Sequence, residues 1–144
     1  MRFYEASIFT SASPEAIWKQ YTEVHSWHKW DGELSKCELL GAFGNGAKIK
    51  LSPKEGPGVT AKITDCVLNR AFTSTSGIPC LIKISFHHKI EPIRDGAKIT
   101  HQIILEGCLA RIFHTCIGPS IAKGLSKSLE ELGKLANERS SKER

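Results

Sequence analysis

The chain has 144 residues, enough for one domain that buries about two-thirds of its unfolded surface. Its 40% hydrophobic and 24% charged residues suit a globule, and no apolar run approaches the roughly 18 residues of a membrane span. The 20 basic residues outnumber 15 acidic ones, giving +5, but they are scattered; this argues against a nucleic-acid reader and leaves only weak contact with an anionic membrane surface.

The start, MRFYEASIFTSAS, carries Glu5 and no unbroken apolar block, so no secretory leader is expected. Phe3, Glu5, Ser7 and Phe9 alternate with Tyr4, Ala6, Ile8 and Thr10, which predicts a half-buried strand over Arg2–Thr10. Ser13-Pro14-Glu15 then supplies an N-cap, a proline at the first helical position and an acid in the first turn. The helix it opens runs to about Val24 with Ile17, Trp18, Tyr21 and Val24 inward. HSWHKWDG is aromatic and closes on Asp-Gly, a short helix or turn, and Trp30 within it is placed to rim an opening. Strands follow over Glu33–Gly41, Ala47–Ser52, Val59–Val67 and Ala71–Ser76, separated by turns at Gly44-Asn45-Gly46, Lys54–Gly58 and Asn69-Arg70.

The next pair of strands is the most informative. Ile82, Ile84, Phe86, His88 and Ile90 share one face of Cys80–Ile90; Ile99, His101, Ile103 and Leu105 share one face of Lys98–Glu106. With the register centred on the turn at Pro92–Gly96, Ile90 opposes Ile99, His88 opposes His101, Phe86 opposes Ile103 and Ile84 opposes Leu105. A slip of one residue would set each against a polar neighbour, so the register is well specified. Two imidazoles therefore lie side by side on an apolar face. They orient a ligand's polar group, exchange a proton with it, or are simply buried and satisfied.

LARIFHTCIG is compatible with helix, and Phe113 and His114 there either gate an opening or pack on the sheet. Pro119 predicts a kink or a fresh start at Gly118-Pro119, which would leave 109–117 as a lid or as part of the last helix. From Gly118 to Glu138, Ile121, Leu125, Leu129, Leu132, Leu135 and Ala136 form one apolar stripe, with Ile117 just before it. Gly124 and Ser128 sit at its edge, where a fully packed helix would carry larger side chains. An interior glycine costs about 1 kcal/mol against alanine, which makes sense if the helix roofs a space. The tail, 139–144, is basic and expected to be disordered.

Five cysteines (Cys37, Cys66, Cys80, Cys108, Cys116) without C-x-x-C spacing argue against a disulfide framework or a zinc site and fit a reduced cytoplasm. They read as small buried apolar residues. His25-x-x-His28 has no carboxylate at useful spacing, so no metal and no cofactor is expected.

The element order, together with ASPEAIWKQY, W-D-G around Trp30 and the spaced Gly41 and Gly46, resembles the START-like (SRPBCC) superfamily, and within it the polyketide cyclase/dehydrase and lipid-transport family. The resemblance covers Arg2 to about Glu138, one domain over 1–138. It implies an α+β helix-grip fold: a curved antiparallel sheet of about seven strands around a long C-terminal helix, with two short helices after the first strand. It also implies a cavity for an apolar ligand. The expected wall is Ile84, Phe86, His88, His101, Ile103 and Leu105, roofed by Ile121, Gly124, Leu125 and Ser128, with Trp30 and Phe113 at the opening. The expected function is binding or transport of a hydrophobic small molecule or lipid. The alternatives are a cyclase or dehydratase using His88 or His101 as acid/base, and a protein-interaction module with a vestigial cavity.

Overall fold

The computed structural model describes residues 2–143, with side chains described through Glu138. The order is β1 (Arg2–Thr10), α1 (Pro14–Thr22), a 3-10 helix (Val24–Lys29), β2 (Leu34–Leu40), β3 (Lys48–Pro53), β4 (Val59–Val67), β5 (Ala71–Ile78), β6 (Ile82–Ile93), β7 (Gly96–Glu106) and α2 (Ala110–Glu143). All seven strands form one antiparallel sheet in the order β1-β7-β6-β5-β4-β3-β2, and α2 packs on β1, β7 and α1.

Local chemistry accounts for most of the boundaries. The Ser13 hydroxyl accepts the Ala16 N–H at 3.1 Å, capping α1 one residue before Pro14. Val24 stays buried but opens the 3-10 helix instead of ending α1. The β6–β7 register is the expected one at all four pairs: Ile90 with Ile99, His88 with His101, Phe86 with Ile103 and Ile84 with Leu105. The turn is tighter than expected. Pairing continues to Ile93 opposite Gly96, leaving Arg94-Asp95 as a two-residue loop. Gly96 has φ of +150°, and a Cβ there would collide with the Thr10 carbonyl, so glycine is required where this hairpin meets the end of β1.

The helix does not start afresh at Pro119. One helix spans Ala110–Glu143, and residues 110–117 are its first two turns, not a separate lid. Its backbone is helical to Glu143; the side chains of 139–143 and all of Arg144, on which the expectation of a disordered tail falls, lie outside the described residues.

The larger core cluster gathers α1, the 3-10 helix, the sheet and the C-terminal half of α2, with Leu129, Leu132 and Ala136 at 0% exposure. A smaller cluster of Ile82, Leu105 and Ala110 holds the helix start, with Tyr4, Ile84, Ile103, Phe113 and Ile121 against it. The middle of α2 therefore bridges two packed ends. Three of the five free thiols, Cys80, Cys108 and Cys116, are exposed rather than buried, because the β5–β6 turn, the approach to α2 and its outer face carry them.

Candidate functional site

Under the middle of α2 lie two adjoining hollows of about 490 and 430 Å³, within the ~300–1,000 Å³ of small-molecule sites. Asp31, Glu33, Phe86, Ile103, Ile117 and Ile121 border both, so the two are immediate neighbours. The outer hollow adds Glu55, Ser120, Gly124, Leu125 and Ser128. The inner one adds Trp27, Trp30, Leu34, Leu51, Pro53, Ala61, Ser74, Ser76, Ile84, His88 and Leu105. A further depression of about 540 Å³ lies along β5 and β6, but Asp65, Arg70, His87, Lys89 and Glu91 give it a charged border away from α2.

Gly124 shows that the roof leaves the space open. A Cβ built there meets nothing closer than the Glu33 Oε1 at 4.0 Å. Elsewhere on the same helix, a Cβ at Gly118 would come within 2.6 Å of the Tyr4 hydroxyl, and one at Gly133 within 2.9 Å of Ile8 Cδ1. Those two glycines let α2 approach β1 closely; Gly124 borders the outer hollow, where a Cβ would make only ordinary contact with Glu33.

Ile84, Phe86, His88, Ile103, Leu105, Ile121, Gly124, Leu125 and Ser128 thus stand on the wall where the sequence placed them. His101 does not. It is 0% exposed, covered by α1, with Nε2 at 2.7 Å from the Tyr21 hydroxyl and the Trp30 ring 5.9 Å away. Alternation predicts which face a residue takes, but only the placement of α1 decides which part of that face stays open. Trp30 is also displaced from its expected rim position: at 2% exposure it lines the inner end. Phe113 packs in the smaller cluster and borders neither hollow, while His114 hydrogen-bonds and stacks on Tyr4.

His88 is held between two aromatic faces, Phe72 at 4.0 Å and Phe86 at 4.3 Å between centroids, both nearly parallel to it. Its Nδ1 donates to the Phe72 carbonyl at 3.3 Å, which fixes the hydrogen on that nitrogen. Burial, and then the neighbouring His101, push its pKa well below the usual imidazole range; burial lowers His101 to about 3. Both rings are neutral at physiological pH. The Tyr21 hydroxyl keeps its proton, since burial raises its pKa well above 10.0.

The acidic residues of this site were not among the expected ones. Asp31 and Glu33 flank Gly32 in the turn before β2, a place that in sequence reads as solvent-facing loop. The Asp31 carboxylate accepts the Glu33 N–H at 3.1 Å, an Asx-type contact that fixes the turn, with Asp31 half-buried and Glu33 exposed at the edge of the hollow. Burial, more than its neighbour Glu33, raises the Asp31 pKa above the ordinary carboxylate value. Among the described residues no three His, Cys, Asp or Glu side chains gather as a metal-binding group.

No family model matches this chain, and no curated protein matches it. Solved structures do match. The di-domain ARO/CYC protein StfQ of the steffimycin biosynthetic pathway superposes with a TM-score of 0.77 at 12% identity, over 96% of this chain and 51% of StfQ. This chain therefore spans about half of StfQ. Ara h 8.0201 gives a TM-score of 0.70 at 16% identity over 95% and 98% of the two chains. A protein from Mesorhizobium loti gives 0.74 at 17% identity over 95% and 98%. The fold is START-like. At these identities the likeness establishes the START-like architecture and leaves chemistry to the residues on the wall. Among the described residues no helix is long and apolar enough to cross a membrane.

Proposed function

We propose that the chain binds a hydrophobic small molecule or lipid in the space between its sheet and α2. The observation that carries this reading is the outer hollow bordered by Gly124, which adjoins an inner hollow walled by Ile84, Phe86, Ile103 and Leu105. Burying ~200 Å² of ligand in one hollow gains about 5 kcal/mol, which barely meets the 4–15 kcal/mol or so that association costs. A ligand spanning both, with ~400 Å² buried, gains about 10 kcal/mol. The fitting guest is therefore elongated and runs from the inner hollow to the outer. Native mass spectrometry of freshly purified protein is expected to show an apolar adduct that Gly124→Leu removes; a clean apo mass that no added lipid alters would refute the proposal.

A second reading, a cyclase-type enzyme, is favoured by one observation: His88 reaches the inner wall as a neutral imidazole. It requires that His88→Gln abolish turnover and spare binding, whereas the binding reading expects graded loss of affinity. His101 is walled off by α1, so it is not the base in either case. The interaction-module reading would gain from bulky side chains filling the space under Gly124, where a Cβ would meet only Glu33 Oε1 at 4.0 Å.

A further inference from the structure

We infer that the ligand is an amphiphile with a protonated amine at its polar end, held by Asp31 and Glu33 with its tail along Phe86 and Ile103. This deepens the binding reading above and rests on it. Asp31 and Glu33 border both hollows, and Glu55 joins them at the outer one. No lysine or arginine lines either hollow among the described residues, although the chain carries +5. The local sign thus opposes the global one.

None of the three carboxylates is engaged in an ion pair among the described residues. Lys54 is near enough to Asp31 to act on it electrostatically, but it is not on the wall. The same carboxylates do not gather as a metal-binding group, so a small divalent cation is not the natural counter-charge. Glu33 Oε1 stands at the outer hollow, 4.0 Å from the position of a Gly124 Cβ.

An independent observation also points to a ligand. Trp30, on the inner wall and 2% exposed, has an indole N–H with no hydrogen-bond partner. A buried donor left unmade is costly, and a guest that carries an acceptor oxygen below its amine would satisfy it. The raised pKa of Asp31 agrees with this picture: its negative charge is poorly solvated in the empty site and gains from a cation. A carboxylate-headed lipid would meet three like charges there.

The test compares dodecylamine, dodecan-1-ol and dodecanoate, which share one tail, by tryptophan fluorescence and calorimetry at pH 7 and low salt. The expected order is amine, alcohol, carboxylate, with the amine about tenfold or more tighter than the carboxylate, a gap that narrows as salt is added. Glu33→Gln is expected to weaken the amine and strengthen the carboxylate. Dodecanoate binding as tightly as dodecylamine in the wild-type protein would overturn this inference and leave the binding reading intact. Binding of none of the three would overturn both.

Discussion

His88 and His101 are neutral rings inside an aromatic cluster, and their environment has a consequence for acid stability. In the unfolded chain each titrates near 6.5, whereas in the fold His101 is held at about 3 and His88 also well below its usual value. Between these limits the unfolded state binds more protons than the native state. Stability is therefore fully present above pH ~6.5 and falls as pH drops toward ~3, by about 1.4 kcal/mol per pH unit for each histidine. Asp31 works the other way, because its folded pKa is raised and protonation favours the native state. Urea unfolding followed from pH 7 to 4 is expected to show the loss, with a slope reduced by about one proton in His101→Gln. Comparing the two proteins cancels Asp31, and equal slopes would show that His101 is protonated in the fold.

At the scale of the element, α2 contains three glycines with different reasons for being there. Gly118 lies against the Tyr4 hydroxyl, so an added methyl group must displace Tyr4 from His114. Gly124 has no such neighbour. Gly124→Ala is therefore expected to stabilise the protein by up to about 1 kcal/mol through helix propensity, while Gly118→Ala loses that gain to the collision. Gly124→Leu is expected to fold and to lose ligand affinity at least about tenfold, because its side chain occupies the outer hollow. Chemical denaturation and ligand titration on the same three variants check this. A Gly124→Leu protein that binds as well as wild type would mean that the ligand avoids the outer hollow.

The whole molecule is packed at two ends and open between them. Leu129, Leu132 and Ala136 fix one end of the roof to the large core, and Ala110 fixes the other to the small one. The sheet need not close on the helix in the middle, since both ends hold it at a distance. A guest that binds only this folded arrangement raises its unfolding free energy by about 2.7 kcal/mol at a hundredfold excess over Kd. Dodecan-1-ol is thus expected to raise Tm by roughly 5–10 °C in wild type and much less in Gly124→Leu. An equal shift in both would place the alcohol elsewhere on the protein.

The sequence by itself determined the elements and the β6–β7 register, because hydrophobic alternation allows only one pairing that keeps apolar residues opposite one another. It also marked the glycines of α2 as costly, but only the structure separated Gly124, at the edge of the outer hollow, from Gly118 and Gly133, which sit against β1. Tertiary structure decided which part of the shared face stays open. Tyr21 covers His101 from α1, while nothing caps Phe86 and Ile103, and no periodicity within a strand encodes where a separate helix comes to rest. It also brought Asp31 and Glu33 to the edge of the hollow: Asp31 is half-buried and Glu33 stays exposed, and only the path of the chain into β2 sets them beside an apolar wall.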